Sequence, residues 1–337
     1  MSTGYIIMGA MVWMVWSTGS LMPLFYCFLG VFLLLICQLI WKQEEMLYVP
    51  EPMPGMLKPE DNPAGFRSPA EFKLPYEDVF FKSADSLTLH AWWIPGAGTS
   101  ASSSTGGAGV SIRNRTKAPA NCSILFCHAN AGNIGMRLPN FVDLAKRCNA
   151  NVFAFDYRGF GKSEGKPSEQ GLILDGLASL YEMKSKYGIE ETFIFGRSLG
   201  GAVAVSLVKA IEDFTPEVRA KYPRIKGIML ENTFTSISDL ADKLFPFLAY
   251  LKPIKAFFLR INWDSMAQMK TFSKTTTKVL FLVGEKDELV PPEHSRKLCD
   301  ACPCPTTFAS FPEGMHNDTY HKGGLKYWEY VQGFLND

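Results

Sequence analysis

Thr192-Phe193-Ile194-Phe195-Gly196-Arg197-Ser198-Leu199-Gly200-Gly201-Ala202-Val203-Ala204-Val205 is the stretch that decides the fold. An apolar strand-like run meets a G-x-S-x-G turn, and small helix-compatible residues follow. Strand, tight turn and helix with serine at the bend form a nucleophile elbow. The glycines let strand and helix approach where side chains would clash. The bend presents the serine hydroxyl at the end of a sheet and sets the free N–H groups of a helix N-terminus beside it.

A serine hydroxyl is a weak nucleophile until a base takes its proton and an acid orients the base. After this elbow the partners follow in the order Ser…Asp/Glu…His. Lys278 to Val283 reads as a buried strand and runs into Gly284-Glu285-Lys286-Asp287-Glu288. Thr307 to Phe311 reads as a short strand and runs into Pro312-Glu313-Gly314-Met315-His316. Asp287 and His316 thus each fall just past the C-terminal end of a strand, where open α/β sheets carry their sites. His316 is expected to take the serine proton, and Asp287 to fix its tautomer and stabilise the imidazolium.

Each partner has competitors. The five histidines are His90, His128, His294, His316 and His321. His90 sits in an early strand, His294 in the helix after the acid loop, and His321 near the start of the last helix. Glu285 and Glu288 share the acid loop, and Glu231 ends the strand Gly227-Ile228-Met229-Leu230. An oxyanion hole needs a donor beside the serine and a second from the loop after an earlier strand. The backbone N–H groups of Leu199 and, after Ser123 to Cys127, of Asn130 fit these places; His128 reads as a buttress of that loop.

Five segments together resemble the membrane-anchored alpha/beta-hydrolase domain-containing proteins of the Bem-type group. They are Phe126 to Pro139 (FCHANAGNIGMRLP), Asp156 to Glu164 (DYRGFGKSE), Phe195 to Ala204 (FGRSLGGAVA), Glu231 to Ile237 (ENTFTSI) and Pro312 to Thr319 (PEGMHNDT). The resemblance covers residues 76–337. It implies an α/β-hydrolase fold, a serine hydrolase mechanism on Ser198, Asp287 and His316, and a membrane anchor. It also suggests relatives that remove palmitoyl thioesters from proteins. Ala129 departs from the family's usual glycine; if the position required positive φ, alanine would add strain.

The N-terminus carries the second strong signal. Met1 to Trp41 holds no Asp, Glu, Lys, Arg or His. Residues 21–41 are apolar except for Gln38 and long enough to cross a hydrocarbon core of ~30 Å at ~1.5 Å per residue. Tyr5 to Trp16 is shorter and reads as an interfacial or re-entrant lead. A single-pass anchor over residues 1–41, in an endomembrane or the plasma membrane, is therefore expected. A cleaved signal peptide fits poorly, since no basic residue precedes the apolar run. Lys42, Lys58, Arg67 and Lys73 follow it, and the positive-inside tendency places the catalytic domain in the cytosol.

The rest is organised as a linker over 42–75 and one catalytic domain over 76–337. Its opening strands are Val79 to Phe81 and Leu87 to Trp93. Helical spacing runs over Asn133 to Arg147, Glu169 to Tyr187 and Gly200 to Ile211, and Leu325, Trp328, Val331 and Phe334 mark a final helix. Such alternation predicts a mostly parallel sheet flanked by helices. The Gly/Ser-rich residues 96–117 read as a disordered loop, and residues 235–273 as a short helical cap whose aromatics either line an acyl pocket or pack on the core.

Other chemistries find little support. A net charge of +1 gives no case for nucleic acid. Asp156 to Ser163 lacks the spacing of a phosphate loop. Cys299, Cys302 and Cys304 form C-x-x-C-x-C, but a metal site needs further ligands and no cofactor motif is present. The expected function is hydrolysis of acyl esters or thioesters of lipids or lipidated proteins at a bilayer. A serine peptidase or amidase on the same fold, or a non-catalytic membrane scaffold, are the alternatives; the first lacks an acidic pair to grip a peptide amine.

Overall fold

The computed structural model describes residues 19–97, 122–244, 257–273 and 277–337, with single positions 13, 16, 17, 250 and 255 besides. The eight strands are β1 Glu77–Lys82, β2 Thr88–Ile94, β3 Cys122–Cys127, β4 Ala150–Phe155, β5 Glu191–Arg197, β6 Arg224–Glu231, β7 Lys278–Gly284 and β8 Thr306–Phe311. They form one sheet in the order β1-β2-β4-β3-β5-β6-β7-β8. β2 pairs antiparallel with β1 and β4, and every pair from β4 to β8 is parallel.

Helices among the described residues are α1 Met22–Trp41, α2 Gln43–Leu47, α3 Leu138–Arg147, α4 Glu169–Tyr187, α5 Leu199–Asp213, α6 Pro216–Arg219 and α7 Ile237–Leu244. They continue with α8 Ser265–Met269, α9 Glu293–Ala301, α10 Thr319–Lys322 and α11 Gly324–Asn336. The expected α4 runs over the observed residues because both ends are capped. The Ser168 hydroxyl accepts from the Gly171 N–H, and Gly188 closes the last turn at φ 65°.

The parallel strands are apolar on both faces, as a sheet covered on both sides requires. In β5, Ile194 enters one core cluster while Phe193 and Phe195 enter the other. β3 repeats the pattern, with Leu125 and Cys127 on the first face and Ile124 and Phe126 on the second. Phe195 stacks on Phe126 at 5.0 Å between centroids. Truncating either ring to alanine removes about 3–5 kcal/mol.

Several local expectations need correction. β4 carries no strand assignment in the sequence reading, yet it lies in the middle of the sheet. Its run Ala150-Asn151-Val152-Phe153-Ala154-Phe155 is short and broken by a polar residue and two alanines, which weakens periodicity. Leu325 is 73% exposed, because a short α10 precedes α11 and only Trp328, Val331 and Phe334 of the expected stripe are buried. The segment expected as a linker packs on the domain: Tyr48, Asn62 and Leu74 are buried. Within the expected loop over 96–117, residues 98–117 lie outside the described residues, as do 245–249, 251–254 and 256 of the expected cap.

Counting described residues only, no helix is long and apolar enough to cross a membrane. The helix over the expected anchor, α1, is 20 residues long by its backbone, and some of its side chains lie outside the description.

Candidate active site

The sheet delivers its loops to one edge. Cys127, Arg197, Glu231, Gly284 and Phe311 end β3, β5, β6, β7 and β8 at their carboxyl ends, and every predicted site residue lies just past one of them. Ser198 occupies the bend between β5 and α5 with φ 52° and ψ −117°, a conformation few residues other than glycine adopt. Neighbouring bonds hold it there. The Ser198 N–H donates to the Glu231 carbonyl at 2.8 Å, and the Thr233 hydroxyl donates to the Ser198 carbonyl at 2.8 Å. The glycines around it are sterically required. A Cβ on Gly196 would lie 2.3 Å from the Gly200 carbonyl oxygen, and one on Gly200 would lie 2.0 Å from that of Cys127.

Three predicted side chains form one hydrogen-bonded chain. His316 Nε2 lies 3.0 Å from Ser198 Oγ, and His316 Nδ1 lies 2.8 Å from Asp287 Oδ2. The other Asp287 oxygen accepts the N–H groups of Leu289 at 2.9 Å and Val290 at 2.7 Å, so the carboxylate is fixed at both ends. All three residues are buried. Protons on the ring nitrogens follow from the bonds: donation from Nδ1 to the carboxylate leaves Nε2 as the acceptor facing the hydroxyl.

The competitors are engaged elsewhere. His90 bonds Asp156 at 3.0 Å and Asp78 at 2.8 Å; burial opposes its protonation, but the two carboxylates outweigh it and raise its pKa. His294 pairs with the Thr235 hydroxyl at 2.9 Å. His321 lines a cavity of about 290 Å³ with Asp143, Arg147 and Trp328, a cavity to which Ser198, Asp287 and His316 contribute nothing. Glu285 pairs with Arg296 at 2.5 Å, and Glu288 only accepts the His316 backbone N–H at 3.2 Å.

Leu199 opens α5, where the first N–H groups have no intrahelical partner. Asn130 lies in the loop after β3, whose carbonyls at Ala129 and Ala131 accept from Arg137 at 3.1 and 2.9 Å. Ala129 does not take up positive φ, so its methyl group adds no strain of the expected kind. His128 is fully buried, tilted over the Tyr157 ring at 4.1 Å, and donates from Nδ1 to the Ala129 carbonyl at 2.9 Å. Burial pushes its pKa down to about 4, so it is neutral at neutral pH.

Beneath the chain lies a buried charged layer that motif reading does not find. Arg197 sits 3.6 Å from Glu231, places its guanidinium 5.6 Å from the Tyr320 ring centre, and donates to the His316 carbonyl at 3.1 Å. Glu231 accepts from the Tyr327 hydroxyl at 2.8 Å. Asn232, at φ 50°, donates to the His316 carbonyl at 3.0 Å and accepts from the Gly284 N–H at 2.9 Å. The signal for it is present in hindsight: asparagine tolerates left-handed backbone, and Asn232 follows the last residue of β6. Among the described residues no group of three His, Cys, Asp or Glu is arranged to hold a metal ion.

Comparison with known proteins places this geometry. A family model described as alpha/beta hydrolase fold matches residues 123–252. The chain is 36% identical to the alpha/beta hydrolase domain-containing protein WAV2 of Arabidopsis thaliana, over 93% of each chain. It is 34% identical to protein bem46 of Schizosaccharomyces pombe, over 83% of this chain and 84% of that one. It is also 34% identical to the uncharacterized membrane protein YNL320W of Saccharomyces cerevisiae, over 78% and 80%. Among solved structures, the esterase Pf2001 of Pyrococcus furiosus superposes with a TM-score of 0.60 at 17% identity, over 86% of this chain and 97% of that one. That likeness speaks to the fold alone. The sheet order, the elbow and the relatives at 34–36% identity agree, and the chain belongs to the alpha/beta-hydrolase domain-containing family.

Proposed function

We propose that this protein is a membrane-anchored serine hydrolase that cleaves acyl ester or thioester bonds of lipid-derived or lipidated-protein substrates. The observation that carries the reading is the continuous chain from Ser198 Oγ through His316 to Asp287, with contacts of 3.0 and 2.8 Å. Ser198 Oγ attacks the acyl carbon while His316 Nε2 takes its proton. The oxyanion of the tetrahedral intermediate accepts from the N–H groups of Leu199 and Asn130. Collapse returns the proton to the departing alcohol or thiol and leaves an acyl-serine. Water then attacks the acyl-serine by the same route, releasing the acid and restoring Ser198.

Two features favour an acyl substrate held at a bilayer. Leu289 and Met315, beside Asp287 and His316, are 48% and 42% exposed, and Phe257 and Phe258 of the cap segment are exposed too. The charge-free residues 1–41 contain the 20-residue α1, about 30 Å long at 1.5 Å per residue. The yeast relative is named a membrane protein. The basic residues that follow α1 favour a cytosolic domain.

Fluorophosphonate labelling, with a panel of acyl esters, acyl thioesters and peptides, tests the reading. Labelling at Ser198 with turnover of acyl substrates is expected. No labelling of the native protein, or turnover confined to peptides, overturns it.

A further inference from the structure

The chain leaving α1 does not hang free of the catalytic domain. Gln43 Oε1 accepts the N–H groups of Arg260 at 2.7 Å and Ile261 at 3.3 Å, and its Nε2 donates to the Phe258 carbonyl at 3.2 Å. Arg260 in turn donates to the carbonyls of Ile40 at 3.2 Å and Trp41 at 3.0 Å at the end of the helix, and Gln43 Nε2 shares the Ile40 carbonyl at 2.7 Å. Tyr48 is buried in the core, and its hydroxyl accepts from the Trp263 indole at 3.0 Å.

Between these ties, residues 47–49 grip the loop after β3. The Val49 N–H donates to Asn130 Oδ1 at 2.9 Å, Asn130 Nδ2 donates to the Leu47 carbonyl at 2.6 Å, and the Gly132 N–H donates to the Val49 carbonyl at 3.0 Å. Asn130 is therefore held at both ends of its side-chain amide by the segment that emerges from the anchor. Its own backbone N–H is the second donor of the oxyanion hole in the proposed mechanism. We infer that Leu47–Val49 is a positioning element of the oxyanion hole, acting through the Asn130 side chain, so that the membrane-proximal chain is part of the catalytic apparatus.

The inference rests on the serine-hydrolase reading and adds a claim of its own. A preorganised donor stabilises charge only when it is held at the position of the oxyanion, and losing one donor costs roughly 10²–10³ in rate. Releasing the Asn130 amide loosens that donor without removing it, so the loss is smaller.

The test uses the full-length protein in detergent with a water-soluble ester, and turnover is referred to the end-point count of fluorophosphonate-labelled Ser198. Asn130→Ala removes both bonds of the clamp. Val49→Pro removes only the N–H that donates to Asn130 Oδ1, and the extended Tyr48 at ψ 118° accommodates a following proline. Each is expected to lower kcat by about 10–100-fold, to leave KM and the pH midpoint of kcat in place, and to weaken a trifluoromethyl ketone inhibitor in parallel with kcat. The double variant is expected to lose little more than Asn130→Ala alone, because Asn130→Ala already cuts the hydrogen bond that Val49→Pro removes. A purely structural role would instead reduce the labelled fraction and leave turnover and inhibitor affinity per labelled site unchanged, which overturns the inference. Losses that multiply in the double variant overturn it as well. Thermal melts identify a variant that fails to fold, and the remaining variant then decides on the same two readouts. A native protein that neither labels nor turns over esters sinks the functional reading first; native activity with unaffected variants sinks only this inference.

Discussion

The guanidinium of Arg197 donates to the backbone carbonyl of His316 at 3.1 Å, tying the residue before the elbow serine to the loop after β8. Arg197 is buried, and its nearby carboxylate, Glu231, has no exposure at all. One layer of charge thus lies under both Ser198 and His316. Local geometry of the elbow and of the histidine loop is coupled through it.

Removing the arginine leaves the carboxylate poorly compensated. Arg197→Met leaves Glu231 in the core with the Tyr327 hydroxyl bond and the field of buried Arg137, and breaking such a pair costs about 3–5 kcal/mol. Pairing it with Glu231→Leu removes the stranded charge. Urea unfolding midpoints are expected to drop for the single variant and recover most of the loss in the double one. If the double variant is no more stable than Arg197→Met, the carboxylate is not the source of the penalty.

For the acid, the geometry separates candidates that the sequence left side by side. Asp287→Asn keeps the shape but disrupts the charge and the tautomer that His316 needs, and a loss of about 10²–10⁴ in kcat is expected. Glu288→Gln touches only a 3.2 Å contact to the His316 backbone N–H and is expected to stay near native activity. Ser198→Ala is expected to lose about 10⁴–10⁶, and adding His316→Ala to it to cost almost nothing further, because the three act as a unit. A Glu288 variant that fails while Asp287→Asn turns over normally reverses the assignment.

Buried His128 contributes to the loss of stability in mild acid. His128, held down to about 4 by burial from its ordinary 6.5, stays neutral in the fold while the unfolded chain binds a proton. The unfolded state therefore gains protons first, and stability falls as pH drops from about 6.5 to about 4, by roughly 3 kcal/mol in total. His90 has the opposite sign: its raised pKa adds stability below the unfolded value, and that stability is lost as pH rises through the folded one. Its contribution is flat across the acid window, so it does not mask His128. Denaturation midpoints between pH 7 and 4 are expected to fall less steeply for His128→Asn than for the native protein; parallel curves remove His128 as the cause.

The sequence reading reaches Ser198, Asp287 and His316 because their signals are local. A glycine-flanked bend and loops after apolar strands are written in consecutive residues. What it misses is held by contacts between distant segments. Arg197 and Glu231 are 34 positions apart; Glu231 reads only as a rival acid and Arg197 only as part of the elbow until the sheet sets β5 beside β6. Leu47 and Val49 meet Asn130 about 80 residues later, so no window of local pattern contains both. β4 escapes for a different reason. A central strand takes much of its stability from its two neighbours, and a short run with weak intrinsic preference needs them to declare itself.

The anchor reading makes a sharp prediction of its own. α1 carries no charge in the sequence and projects large apolar side chains outward: Phe25, Phe28, Leu34 and Trp41 are all exposed. Burying such side chains in hydrocarbon contributes about 25 cal/mol per Å² of apolar surface, far beyond what a peripheral contact supplies. Native protein is therefore expected to stay with membranes through high salt and alkaline carbonate and to leave only with detergent. Release without detergent rules out an integral span. Removing residues 1–41 while keeping Gln43 to Val49 retains the bonds of Gln43 to Arg260 and of Val49 to Asn130. That form is expected to hydrolyse a water-soluble ester at close to the native rate and to fall well behind on substrate embedded in vesicles, where the anchor raises the effective concentration of the site at the bilayer. Removing residues 1–49 takes the Asn130 clamp as well, and activity on the soluble ester is expected to drop too. Equal activity of the first truncation and the native protein on vesicles would leave the anchor a tether with no part in catalysis, whereas a first truncation as impaired on soluble ester as the second would place the critical contact within residues 1–41 rather than after them.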